Sequence, residues 1–166
     1  MLKEYERKRD FKRTPEPKGR RALSQKFPIF VIHDHYASHH HFDLRLECNG
    51  VLKSWAIPKA TMPTAASQRL LAVQTEDHPM AYAAFKGTIP KGEYGAGKVK
   101  IEDSGVFENL THNKNHDPIT LVGGLRKGHI LFRLKGKRYK NKVYTLHRFK
   151  KEGKKALWLL MLLEEK

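Results

Sequence analysis

The stretch His35-Tyr-Ala-Ser-His-His-His41-Phe-Asp43-Leu-Arg45 holds imidazoles, a carboxylate and a guanidinium at spacings that can build one site. From Phe42 the residues alternate: Phe42, Leu44 and Leu46 are apolar, while Asp43, Arg45 and Glu47 are polar. A period of two reads as a half-buried strand, with every second side chain on one face. A strand beginning at or before His41 puts that residue on the same face as Asp43 and Arg45. Neighbours on a face are roughly 6.5–7 Å apart, so their side chains can close on one cation. His35 lies six residues earlier and reaches the same point only if the intervening chain bends. Two neutral imidazoles and one carboxylate suit a first-row divalent metal. Arg45, one step along the face, can grip a phosphate with its planar fork. A metal beside an arginine points to phosphate ester chemistry, although a His/Asp/Arg face is also what a merely solvated strand looks like. The dipeptides His33-Asp34 and His116-Asp117 do not make an HD-type hydrolase, which needs them on helices; His33-Asp34 follows the strand-like Phe30-Val-Ile32.

The elements that must position these residues read as many short strands. Residues 1–9 form a short helix that Thr14-Pro-Glu-Pro17 stops. Residues 19–26 read as a basic linker and 27–32 as a strand. Asn49-Gly50 between alternating apolar positions is a strong hairpin signal. A two-residue loop there sets Leu44 opposite Trp55, Phe42 opposite Ile57 and Arg45 opposite Ser54. Glu47 opposite Leu52 fits poorly, which suggests a bulge near the turn. Residues 70–75 read as a strand interrupted by Asp77-His78-Pro79. The run Gly87-Thr-Ile-Pro-Lys-Gly92-Glu-Tyr-Gly95-Ala-Gly97 is neither a dinucleotide fingerprint nor a Walker loop, because a strand follows it and no Gly-Lys-Ser/Thr occurs. Tight turns and close backbone approach are the expected use of its glycines. Residues 109–120 read as a polar loop, with strands again at 129–134, 143–148 and 157–163. The expected fold class is mainly β: a single antiparallel barrel-like domain with a short N-terminal helix and Gly-rich loops. Residues 1–28 are expected to form a basic segment, and 29–166 the barrel.

The chain's 166 residues, 39% of them hydrophobic, suffice for one domain with a core. The single cysteine, Cys48, excludes a disulfide framework and any multi-cysteine zinc site. The first residues lack the apolar region of a signal peptide, and the longest apolar run is far short of a membrane span. Cytoplasmic residence, at the nucleoid in a prokaryote, is the expectation. The net charge is +16, with 33 Lys+Arg against 17 Asp+Glu. Basic side chains cluster in residues 1–28 and 135–155, which implies a polyanionic partner. With no lysine-rich amphipathic helix of the lipid-binding kind, nucleic acid is favoured over a membrane.

Several blocks in one order resemble the 3′-phosphoesterase domain of bacterial DNA ligase D, including its stand-alone relatives. They are Arg9-Asp10-Phe with Thr14-Pro-Glu16-Pro, the block from His35 to Glu47, Leu52-Lys-Ser-Trp55-Ala-Ile-Pro58-Lys59, Glu76-Asp-His78-Pro with Tyr82, and Gly87-Thr-Ile-Pro90-x-Gly92-x-Tyr94-Gly95. The Trp158-Leu-Leu run near the end also matches. The resemblance implies a mainly antiparallel β-barrel and manganese-favoured healing of DNA or RNA/DNA 3′ ends at primer–template junctions, with other first-row divalent metals as substitutes. A phosphodiesterase step would remove a terminal ribonucleoside, and a phosphomonoesterase step would turn the resulting 3′-phosphate into a hydroxyl. By match, His35, His41 and Asp43 would bind the metal, and Arg45, His78 and Tyr82 would hold or polarise the phosphate. Lys59 and Arg69 would add phosphate contacts, and Arg9, Asp10 and Glu16 would serve the diesterase step, which gives the basic segment 1–28 a part in the site. Whether His78 donates a proton or binds phosphate stays open, and nothing is carried onto His33, His39 or His40. The ligase signature Lys-x-Asp-Gly is absent, so polymerisation and sealing would fall to other proteins, with this chain a monomer. The alternative is a basic nucleic-acid-binding barrel without catalysis.

Overall fold

The structure, a computed structural model, describes residues 2–18 and 27–163; the linker expected over 19–26 lies outside the described residues. In chain order the elements are α1 (Lys3–Arg7), β1 (Ile29–Tyr36), β2 (His40–Cys48), β3 (Val51–Ile57), β4 (Leu70–Pro79), a 3₁₀ turn (Met80–Ala84), β5 (Gly87–Ile89), β6 (Gly97–Asn109), α2 (Leu121–Lys127), β7 (His129–Gly136), β8 (Lys140–Glu152) and β9 (Lys155–Leu162). Asn49 and Gly50 both take positive φ, 52° and 80°, as the primed two-residue hairpin turn requires. The turn sets the expected register between β2 and β3: Leu44 faces Trp55, Phe42 faces Ile57 and Arg45 faces Ser54.

Pairing continues in the order β1-β2-β3-β4-β9-β8-β7-β6-β5, and β1 also pairs with β6. All of these pairings are antiparallel. The β1–β6 contact closes the sheet into a ring, which is the barrel-like fold the strand pattern predicts. Alternation gives the ring two faces. Inside, Phe30, Ile32, Leu44, Leu46, Trp55, Ile57, Phe132, Leu146, Trp158 and Leu160 form the main core. Outside β1–β3, Tyr5, Leu52, Met80, Tyr82, Phe85, Ile89 and Val99 form a second, smaller apolar cluster. α1, the 3₁₀ turn and β5 therefore wall off one patch of the outer face.

Three expectations need correction. Glu47 pairs with Leu52 in a regular ladder, because its buried carboxylate accepts the Ile29 backbone N–H at 3.0 Å. The bulge lies one strand over, between β3 and β4, where Leu52 faces His78 but Ser54 faces Thr75. Asp77-His78-Pro79 does not interrupt β4. The strand runs through it, and Pro79 sits at its last position, where a missing N–H is tolerated. Finally, α2 is a second helix that the apolar pattern did not disclose. Thr120 caps it by accepting the Gly123 N–H, and Gly128 ends it in the left-handed conformation. Among the described residues, no helix is long and apolar enough to cross a membrane.

Candidate functional site

The bend that His35 needs is the β1–β2 hairpin itself. The strands pair His35 with His41 and His33 with Asp43, so these four side chains and Arg45 share the outer face. One ligand atom from each of His35, His41 and Asp43 lies within 4.8 Å of the other two. Asp43 Oδ2 is 3.5 Å from His35 Nδ1 and 3.3 Å from His41 Nε2. Donors held about 2.0–2.2 Å from a divalent ion stand roughly 3–3.6 Å from one another, so the spacing fits one ion. The other ring nitrogens are already committed. His35 Nε2–H donates to the Gly95 carbonyl at 2.7 Å, and His41 Nδ1–H to the His39 carbonyl at 2.9 Å. Such bonds fix the tautomer and aim the remaining lone pair inward. Gly95 has φ +76°, and a Cβ there would lie 3.4 Å from the His35 ring; a Cβ on Gly97 would lie 2.0 Å from the Tyr36 carbonyl oxygen. Close backbone approach is thus what these glycines provide.

Arg45 stands beside this cluster, buried and held on three sides. Its Nε donates to His33 Nδ1 at 3.0 Å, Nη1 donates to Ser54 Oγ at 3.0 Å, and Nη2 is 3.4 Å from Asp43 Oδ2. His33 in turn donates from Nε2 to the Phe85 carbonyl at 3.0 Å. The β4 bulge adds the next wall. A strict period of two forbids consecutive residues from facing one side, yet Thr75, Glu76 and His78 all line the same cavity of about 230 Å³ as Arg45 and the three metal-type ligands.

The N-terminal segment closes the cavity. Arg9, also lining it, donates from Nε to Glu16 at 2.8 Å, from Nη1 to Glu76 at 3.1 Å and from Nη2 to His78 Nε2 at 3.3 Å. The Tyr82 hydroxyl donates to the same Glu16 oxygen at 2.7 Å. His78 Nδ1–H points at its neighbour's carbonyl, Glu76 O, 2.9 Å away. Two guanidinium groups (Arg9, Arg45) therefore face three carboxylates (Glu16, Asp43, Glu76) in and behind the cavity. With Lys8, which also holds Glu76, these charges cancel, and a divalent cation would leave the site positive towards an incoming phosphate.

The electrostatics follow from this packing. Burial works against ionised Asp43, but Arg45, His35 and His41 outweigh it and hold its pKa well below the carboxylate range. His41 feels burial first, yet the Asp43 hydrogen bond and charge raise its pKa. His33 goes the other way: burial and then the Arg45 charge push it down to about 3. Burial, Arg45 and Arg9 likewise hold His78 neutral, well below its ordinary value. Burial also raises the Tyr82 pKa, so its hydroxyl keeps its proton.

Not every expected residue enters the cavity. Lys59, Arg69 and Asp10 are not among its lining residues, and Glu16 lies behind it. Asp10 shapes the turn between Arg9 and Glu16, accepting the Lys12 N–H on its side chain and the Arg13 and Thr14 N–H groups on its carbonyl. Conversely, sequence reasoning gave no role to His33, Ser54, Thr75, Glu76 or Tyr94. His33 had a legible signal, since it sits two residues before His35 on the same strand face. Glu76 had the same signal, two residues before His78, whereas Thr75 had none, because the bulge that turns it inward leaves no periodicity.

Fold and site together define a closed antiparallel β ring with a two-histidine, one-carboxylate cluster of metal-binding type on its outer face, next to a buried arginine. A profile of the DNA ligase D 3′-phosphoesterase domain matches residues 33–148. The chain belongs to this family. It is 43% identical over 162 residues to the multifunctional non-homologous end joining protein LigD of Pseudomonas aeruginosa, an alignment covering 96% of this chain and 18% of that protein. It is also 45% identical over 146 residues to the LigD non-homologous end joining DNA repair protein of Mycobacterium tuberculosis, covering 83% and 19%. For LigD of Mycolicibacterium smegmatis the identity is 49% over 108 residues, covering 64% and 14%. The chain thus spans less than a fifth of the length of these relatives.

Proposed function

We propose that the chain is a divalent-metal-dependent phosphoesterase that heals 3′ ends of DNA or RNA/DNA at primer–template junctions during end-joining repair. A diesterase step releases a terminal ribonucleoside, and a monoesterase step converts the 3′-phosphate to a 3′-hydroxyl. One observation carries the reading: His35, His41 and Asp43 converge beside the buried guanidinium of Arg45 in one cavity, in a chain of this family. Manganese is the expected metal, with other first-row divalent ions as substitutes. When bound, such an ion polarises a phosphoryl oxygen and lowers the pKa of water.

The chain's own groups do the rest. Arg45 binds non-bridging phosphate oxygens and offsets their growing charge; His33, Ser54 and Asp43 hold its fork in place, so little reorganisation is needed. His78 is neutral in the free site first because it is buried and then because Arg45 and Arg9 face it. A phosphate lodged between those guanidinium groups cancels their field, so His78 takes up a proton more readily. As imidazolium it then holds the phosphate or protonates the leaving oxygen. Arg9 and Glu16, joined to each other and held by Glu76 and Tyr82 respectively, set that wall of the cavity, and Asp10 sets the turn that carries them. Residues 1–28 and 29–166 act as one unit in this reading, with the diesterase step relying on the former. Lys59 and Arg69 reach phosphates of a longer substrate outside the cavity. In this reading the protein works in the cytoplasm as a monomer, alongside ligase and polymerase activities.

The test is incubation with a labelled primer–template ending in one ribonucleotide, in chelator and then in manganese. Expected are release of the ribonucleoside and then of phosphate, abolished by chelator and restored by the metal. Undiminished release in excess chelator, with metal analysis finding none bound, overturns the metal dependence. Salt-sensitive binding with no trimming and no phosphate release favours a non-catalytic binding barrel.

A further inference from the structure

The metal-type cavity adjoins a larger hollow between α1 and the β8–β9 hairpin. Thr75, Glu76 and Tyr94 line both, and the hollow measures about 660 Å³ against about 230 Å³ for the cavity. Its basic walls are Arg7 at the end of α1, Lys8 just after it, and Lys151, Lys154 and Lys155 from the hairpin, set against the acids Glu4 and Glu76. Both acids are already engaged. Arg7 holds Glu4 at 2.7 Å, and Lys8 and Arg9 hold Glu76 at 3.0 and 3.1 Å. Lys154 adds its charge near Glu4, but among the described residues none of the three hairpin lysines forms a salt bridge. All three are exposed.

Two features mark the junction between cavity and groove as a passage for a ligand. Tyr94 is 48% exposed there, with Lys8 Nζ 4.6 Å and Arg9 Cζ 5.4 Å from its ring centre. An exposed ring flanked by cations at the mouth of a phosphate site is the arrangement on which a base stacks. Beside it the Thr75 hydroxyl is buried and, among the described residues, has no hydrogen-bond partner. The other basic hairpin, β7–β8, lacks this continuity. Its turn folds onto acids instead: Asp103 accepts the backbone N–H groups of Lys137, Arg138 and Tyr139, and Glu102 takes the Arg138 and Tyr139 side chains. Its lysines line neither hollow.

We infer that the strand carrying the reacting 3′ end leaves the cavity across Tyr94 and lies along the groove between α1 and the β8–β9 hairpin, with its phosphates on Lys151, Lys154 and Lys155. This rests on the phosphoesterase reading for the identity of the end, and on charge and continuity for the path. A closely spaced row of phosphates is the anion that a row of exposed lysines leading out of a phosphate site complements.

The test compares two triple variants of the whole chain, Lys151→Ala/Lys154→Ala/Lys155→Ala and, as control, Lys137→Ala/Lys140→Ala/Lys142→Ala. Binding to a primer–template with a 3′-phosphate is measured by fluorescence anisotropy in chelator across a salt series. Release of phosphate from deoxythymidine 3′-phosphate is measured in manganese. The groove variant should bind at least about tenfold more weakly, with a log–log salt slope shallower by about 2, at roughly 0.7–0.9 per phosphate contact. The control should bind as the parent does, and both should turn over the mononucleotide at the parental rate, since it does not reach the groove. Tyr94→Ala should raise KM for the primer–template, and Tyr94→Phe should restore it. Parental affinity and slope in the groove variant, or equal losses in both triples, overturn the path. If the parent releases no phosphate from either substrate, the phosphoesterase reading fails instead, and the binding series still decides the groove.

Discussion

The β1–β2 hairpin presents two faces made from the same seventeen or so residues of chain, and they solve opposite problems. Its inner face, Phe30, Ile32, Phe42, Leu44 and Leu46, is apolar and closed into the main core. Its outer face carries His33, His35, His41, Asp43 and Arg45 beside the apolar Ile29 and Val31; these five polar groups are nearly as buried, and each is held by another polar group. Burial on the inner face is favourable by itself. On the outer face it is unfavourable unless every charge is met, and a lid of α1, the 3₁₀ turn and β5 is needed to achieve it. Inner-face residues should therefore govern stability, and outer-face residues should govern chemistry far more than stability.

Several measurements can break or sharpen that contrast. Asp43→Ala removes the carboxylate that faces both histidines and Arg45, so phosphate release should fall more than about 10³-fold, since a bound metal supplies several kcal/mol of charge stabilisation. Metal titration calorimetry should show affinity lost alongside; full affinity would mean that Asp43 is not a ligand. On the inner face, Trp55→Ala should cost roughly 3–5 kcal/mol in chemical denaturation, while turnover per folded molecule stays near parental. A large fall in turnover at full folding would erase the distinction between the faces. Arg45→Ala should keep the metal and lose about 10²–10³ in rate, with Arg45→Lys unable to restore the three-sided grip.

Acid should expose the cost of neutral buried imidazoles. His33 and His78 have folded pKa values below their unfolded ones, His33 at about 3. The unfolded chain therefore takes up protons below about pH 6.5 that the folded chain refuses. Stability is full above that pH and falls as pH drops towards the folded values, by up to about 1.4 kcal/mol per unit for each group. Thermal unfolding from pH 7 to pH 5 should show a steeper loss in the parent than in His33→Gln; identical slopes would deny His33 its buried neutral state. The smallest effect is expected at the turn. Asn49→Ala at φ 52° should cost about 1–2 kcal/mol and leave the rate unchanged.

Local alternation made much of this hairpin legible. The polar spacing His41-x-Asp43-x-Arg45 and the Asn49-Gly50 turn together foretold which residues share a face and which face Trp55. The remaining wall of the cavity was not legible, for a physical reason. One extra residue in β4 shifts the period, so Thr75 joins Glu76 and His78 where alternation would set it apart. His33 was passed over because its partners, Arg45 and Phe85, are 12 and 52 residues away. α2 escaped because its seven residues include two glycines and too few apolar positions to set a period.

The closing of the sheet through β1 and β6 has a consequence for company as well as for chemistry. An open sheet offers bare peptide groups to any passing strand, and long chains of modules are exposed to that hazard whenever one of them unfolds briefly. Here, among the described strands, the three-residue β5 stands outermost in the pairing order. Such a module can be tethered beside other folded units, or released near a tangle of broken ends, without inviting its neighbours to stitch themselves on.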